Sequence, residues 1–169
     1  MNHMHAVIIR SIATVSIVLS GLAFLPALTF AAPNCNLKRD LTGADLSGCD
    51  LTGADLHGAN LFHANLNNAN LSFANLNNAN LIGANLSLVD LTGTDLSGAD
   101  LIGAILWKAD LTGAILTRAD LSLANLSWAD LTGADLSGAN LTNAFRHPGI
   151  RRAELQGAKG VDTVEGMVD

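Results

Sequence analysis

From Leu41 to Leu141 every fifth residue is leucine, 21 times in a row without exception. Two positions before each Leu stands Ala, except Arg39 at the start and Cys49, Val89 and Thr94 further on. One position before stands Asp or Asn, except Ile105 and Ile115. A period of five suits no ordinary element. On an α-helix each Leu would sit about 140° from the last, so no apolar face would form. On a flat strand an odd period would send successive Leu to opposite faces. The backbone must instead turn by a constant angle every five residues, so that all Leu point to one axis. A coil of short edges does this, with Leu and Ala inward and the other three positions outward. Ala suits the inner corners because four of them crowd a narrow interior. Self-similarity of this kind decides the fold class before any local propensity does.

The five-residue words run Leu41-Thr-Gly-Ala-Asp, Leu46-Ser-Gly-Cys-Asp, Leu51-Thr-Gly-Ala-Asp and onward. In these words the chain resembles the pentapeptide-repeat family, whose pattern is Ala-(Asp/Asn)-Leu-x-x. The resemblance implies an all-β fold, a right-handed quadrilateral parallel β-helix with four words to a coil. The strict repeats then fill a little over five coils. At about 4.8 Å per coil they make a rod roughly 25 Å long.

The pattern also divides the chain. Residues 1–31 read as a leader, 32–40 as an N-terminal cap, 41–145 as the β-helix, 146–160 as last irregular repeats and 161–169 as a tail. Phe145 follows Leu141 by four rather than five, and Ile150 and Leu155 then resume the period. Because the family admits Phe at the central position, Phe145 is expected in the core of a coil shortened by one. The leader has Arg10 as its one positive side chain, an apolar stretch over Ser11–Leu25, Pro26, and small residues before Ala31. That order matches a secretory signal peptide, with cleavage expected after Ala31. The alternative is an uncleaved inner-membrane anchor facing the periplasm, since Ser11–Ala32 is just long enough to span. Either reading places the repeats in the periplasm or outside a bacterial cell.

With four words to a coil, residues twenty apart stack, and the sequence becomes a surface map. The first and second faces are those whose central Leu are 41 and 46, each plus multiples of twenty. The third and fourth are those of Leu51 and Leu56. The third face carries Asp50, Asn70, Asp90, Asp110 and Asp130. The fourth carries Asp55, Asn75, Asp95, Ile115 and Asp135. Together they form an expected acidic side. The first face stacks Phe62, Ile82 and Ile102, with Leu123 beside the next rung. The second gathers Leu88, Ile105, Trp107 and Trp128. Outward apolar residues with Trp among them mark an expected interaction surface.

Charge and missing chemistry exclude other roles. Nine Lys and Arg face 15 Asp and Glu, which argues against direct nucleic-acid binding through phosphate neutralisation. The filled core leaves no cleft for paired carboxylates, and no cofactor motif occurs. The Asp form rows of single carboxylates rather than a converging oxygen shell, so no metal site is expected. His57, His63 and His147 read as solvated surface residues, and no catalytic constellation appears. Cys49 takes an inward Ala-type position and Cys35 lies in the cap, so an exported setting allows a disulfide between them.

These readings converge on an exported, non-enzymatic interaction or scaffold module. Its partner would be another protein or a second copy, with membrane contact only through an uncleaved N-terminal segment. The family resemblance supplies an alternative, an acidic rod that mimics duplex DNA and binds DNA gyrase. Export and the neutral run from Asn60 to Asn85 count against it.

Overall fold

The computed structural model describes residues 40–146. The leader over residues 1–31, Cys35, His147 and the segments beyond 146 lie outside the described residues. Residues 40–146 wind into a right-handed quadrilateral parallel β-helix, in which each coil takes twenty residues. Parallel bridges join Asp40 to Asn60, Asn60 to Asn80, Asn80 to Asp100 and Asp100 to Asp120, and the other three edges repeat the same offset. The regular strands are short, β1 (Asn125–Leu126) and β2 (Phe145–Arg146).

One backbone device builds every corner. The Ala-type residue donates its N–H to the carbonyl of the Leu three residues earlier, as in Ala64 to Leu61 at 2.9 Å. The third residue of every word, from Gly43 to Asn143, has φ between +54° and +73°. Only that central residue of each turn is left-handed, which identifies a type II turn. Between coils, Leu61 donates to the Asn80 carbonyl at 2.7 Å, His63 to that of Ile82 at 3.0 Å, and Asn80 to that of Ala59 at 2.9 Å. A word therefore commits four of its five N–H groups to backbone acceptors.

The fifth N–H explains the Asp and Asn. The residue after Leu donates its N–H to Oδ1 of the Asp or Asn two positions back, as in Thr92 to Asp90 at 2.9 Å. The bond recurs in every word from Leu41 to Leu141 except the two that follow Ile105 and Ile115. A carboxylate or side-chain amide is the short acceptor that an Asx turn requires. The outward Asp are thus part of the fold as well as a source of charge.

The core is the expected column. Every Leu of the five-residue period, from Leu41 to Leu141, is buried, and those of the middle coils are wholly so. Ala, Cys49, Val89 and Thr94 fill the corners between them. Thr94 is the polar member. Its hydroxyl donates to the Leu71 carbonyl at 2.7 Å, so this buried donor is satisfied. At the C-terminal end the expected shortening of the coil at Phe145 does not occur. Phe145 pairs with Asn125 and Arg146 with Leu126, so the twenty-residue register persists and the coil is not shortened there. The ladder of backbone bonds holds the register, and Phe145 takes the slot that Asp or Asn takes elsewhere.

Candidate interaction surface

The acidic residues lie on the edges of the square, one position before each inward Leu, where the coils bridge. Asp90, Asp110 and Asp130 stack in one column, and Asp100 and Asp120 in another two edges away. Several Asn amides donate down the stack to an Asp, as Asn65 does to Asp45 at 3.0 Å and Asn75 to Asp55 at 3.2 Å. Local hydrogen bonds favour the ionised form. The Thr52 hydroxyl and N–H hold the Asp50 carboxyl below its usual range, and Thr132 does the same for Asp130. Ser137 acts likewise on Asp135, Thr42 on Asp40 and Ser47 on Asp45. At Asp120 burial works upward, but the bonds from Ser122 and Asn140 prevail and the carboxyl is still lowered.

These shifts set an acid limit. A carboxyl lowered in the folded state stabilises the fold above its unfolded value of about 3.9, and that contribution disappears as pH falls through the lower folded value. The melting temperature, followed by circular dichroism, should therefore be level from neutral pH to about pH 5 and fall below about pH 4. Asn keeps the Oδ1 acceptor without the charge. Asp50→Asn, Asp130→Asn and Asp135→Asn together should flatten the acid fall, and an unchanged fall would reject this origin.

The apolar residues run from the turns that end the first face, across Ile105, to the turns that end the second face. Phe62, Leu88, Ile105, Trp107, Leu123 and Trp128 are exposed, while Ile82 and Ile102 are half-buried in the column above Phe62. Trp128, at 57%, is the more open of the two Trp. The Lys108 ammonium lies 4.6 Å from the centre of the Trp107 ring, a cation–π contact. Phe62 and His63 meet edge to face at 4.2 Å between ring centres. His57 projects from the fourth face.

Two exposed apolar residues fall outside the expected strip. Phe73 stands on the third face and Ile115 on the fourth. Phe73 sits in the left-handed slot with φ of 57° and lays its ring over Gly93 on the coil above. A Cβ on Gly93 would come within 2.8 Å of that ring. The bare glycine is what allows the ring to lie flat. Sorting the sequence by slot within each word, rather than by face alone, would have revealed Phe73.

The same slot distinguishes the second face. On the third and fourth faces, glycine alternates with or outnumbers other residues in the left-handed position. On the second face four successive coils place Asn68, Leu88, Lys108 and Trp128 there, with φ from 55° to 64°. Left-handed geometry costs an L-residue roughly 1–2 kcal/mol relative to the right-handed region. Bulky residues in it are unusual. The face that carries both Trp thus also carries an unbroken column of backbone strain.

Cys49 is buried in its corner, and no cysteine among the described residues is free. Its expected partner Cys35 lies outside the described residues. Among the described residues no His, Cys, Asp and Glu gather in a group that could hold a metal ion. Nor is any helix there long and apolar enough to cross a membrane.

Comparison with known proteins agrees with this geometry. A family model described as pentapeptide repeats matches residues 40–72, 69–107, 94–133 and 119–145. A pentapeptide-repeat protein from the thylakoid lumen of Arabidopsis thaliana is 35% identical, with a TM-score of 0.58. The match covers 64% of this chain and 72% of that one. The pentapeptide-repeat protein Rfr23 from the cyanobacterium Cyanothece 51142 is 34% identical, with a TM-score of 0.52. That match covers 60% of this chain and 86% of the other. No curated protein matches the sequence. The repeat matches span more than half of the chain and coincide with the coils, so the chain belongs to the pentapeptide-repeat family.

Proposed function

We propose that the protein is an exported, non-enzymatic binding module that holds a partner protein against the strip formed by Leu88, Ile105, Trp107 and Trp128. The observation that carries this reading is the coincidence on the second face. Both Trp of the chain and a four-coil column of non-glycine left-handed turns share it. Strained backbone persists where the surrounding structure imposes it, and it concentrates at ligand-contacting sites. Ile105 adds a second local departure, shared only with Ile115 on the fourth face, since it gives up the Asx bond that Asp or Asn makes in the other words. It presents an exposed aliphatic side chain two residues from Trp107 instead. Trp residues with exposed aliphatic neighbours are the kind of anchor that dominates protein interfaces. The closed Leu and Ala core supports a binding rather than a catalytic role. Export rests on the leader over residues 1–31, and the disulfide between Cys35 and Cys49 belongs to the same setting.

Photo-crosslinking in the native cell tests the surface. A photoreactive phenylalanine at position 88 or 107 should give a discrete adduct, whereas one at Thr117 on the fourth face should give none. Equal yields from both faces, or none from the second, would overturn the reading. Fractionation with N-terminal sequencing of the recovered protein tests export, with a start near Ala32 expected in the exported fraction.

A second reading, an acidic mimic of DNA directed at gyrase, draws on the column Asp90, Asp110 and Asp130. It requires cytosolic protein that retains Met1, so the same fractionation separates the two.

A further inference from the structure

We infer that the occupant of the second face is a basic amphipathic helix, a segment whose apolar stripe is flanked by Lys or Arg. The inference rests on the interaction surface proposed above and adds the chemistry of what binds there. The first argument is charge. Residues 40–144 hold eleven Asp against Lys108 and Arg118, a net charge of −9. The apolar strip is bordered by carboxylates on both sides along the rod. Asp100 and Asp120 stand on the first-face side, and Asp90, Asp110 and Asp130 on the third-face side. In the latter three, Oδ1 accepts the N–H of Thr92, Thr112 or Thr132 at 2.9 Å. A partner that buries Trp107 and Trp128 must bring its own flanks against these columns.

That requirement sorts the candidate occupants. A second copy laid face to face would set Asp columns against Asp columns within about a Debye length of 8 Å at physiological salt. An anionic lipid surface would be repelled in the same way. A polypeptide with cations on both flanks gains on both sides and still buries the strip.

The second argument is spacing. Coils repeat about every 4.8 Å, and an α-helix turns every 5.4 Å or so. Side chains one turn apart on a partner helix therefore meet successive coils, with a drift of only about 0.6 Å per step. Apolar residues would fall on Leu88, Trp107 and Trp128, so that the uncharged stripe, not the basic flanks, meets Lys108 on the Trp107 ring, and cations would fall on Asp90, Asp110 and Asp130. An extended strand repeats on one side about every 6.6 Å, so it loses register after one coil.

The two Trp are the only ones in the chain, so intrinsic fluorescence reads this face directly. The protein, purified as cells leave it, is titrated with an 18-residue amphipathic helix of Leu and Lys and with its Leu and Glu twin. The Leu–Lys helix should shift the emission to the blue with a Kd on the order of micromolar, and the twin should not. Asp90→Asn/Asp110→Asn/Asp130→Asn should weaken binding about tenfold or more, as three charge pairs are lost. Asp55→Asn/Asp95→Asn/Asp135→Asn, on the fourth face, should change it by less than about twofold. Both variants keep the Oδ1 acceptors, and unchanged circular dichroism verifies their fold. Equal weakening by the two variants would show general charge attraction and overturn the inference. So would tight binding of the Leu–Glu twin, or a blue shift with phosphatidylglycerol vesicles. A dimer in light scattering that disperses with Trp107→Ser/Trp128→Ser would also overturn the helix, yet it would leave the second face an interaction surface. Loss of the site-specific crosslink would remove both.

Discussion

Leu91→Asp is expected to abolish folding. Leu91 is wholly buried in the middle of the stack, with Leu71 below and Leu111 above. Removing it forfeits about 1.5–3 kcal/mol of burial. The new carboxylate does more damage still, because it would enter a column of Leu and Ala with no cation or free donor to meet it. Burying an unpaired charge costs several kcal/mol after relaxation. Small domains have only about 5–15 kcal/mol of net stability. The neighbouring change Thr92→Asp places the same charge on the outer surface and should be tolerated. Circular dichroism and size-exclusion chromatography check both. A soluble Leu91→Asp protein with an unchanged β spectrum would reject the inward-Leu arrangement.

Deleting Gly113 should be almost as damaging, whereas adding twenty residues should not be. Each coil is locked to the next by bonds such as Leu91 to the Asp110 carbonyl at 2.7 Å and Asp110 to the Val89 carbonyl at 2.9 Å. Loss of one residue changes the offset from twenty to nineteen for every pair that straddles it, such as Asp100 with Asp120 and Asp110 with Asp130. In that coil either the Leu leave the axis or the ladder breaks, and the coils after it lose the surface they stack on. Duplicating residues 81–100 instead inserts one whole coil, and every residue still finds a partner twenty away. Stability of stacked repeats grows with each added interface. The duplicated chain should fold, melt at a higher temperature and lengthen by about 4.8 Å in small-angle scattering. The deletion variant should lose its cooperative melt, and a deletion variant that melts like the parent would refute the twenty-residue lock.

Much of this fold is legible in the sequence because one residue type reports one position. Leu every five residues gives the inward column, and Ala before Asp or Asn gives the corner. The roles of the other slots were less visible. Asp reads as charge from composition alone, yet its Oδ1 completes the backbone bonding of the next word. Ile105 and Ile115 gain meaning only once that bond is known. Glycine in the third slot reads as a small outward residue, and its positive φ emerges only from the turn it occupies. The same slot then exposes Leu88, Lys108 and Trp128 as strained, and Phe73 as a ring resting on Gly93.

The surface map is legible to a similar degree. Sorting by twenty places the apolar residues together and gathers most of the repeat Asp on the third and fourth faces, while Asp100 and Asp120 stack on the first face, on the far side of the strip. Phe145 shows the limit of the period itself. Its four-residue step suggested a shortened coil, whereas pairing with Asn125 keeps the register.

The sequence by itself determined the periodicity, the inward column and the family, since a five-residue repeat can bury its Leu in only one kind of coil. Tertiary structure decided which outward residues become neighbours. Adjacency across coils depends on the twenty-residue offset and on turn geometry, and neither is written in any single word. That adjacency is what gathers strain, both Trp and two carboxylate columns around one face.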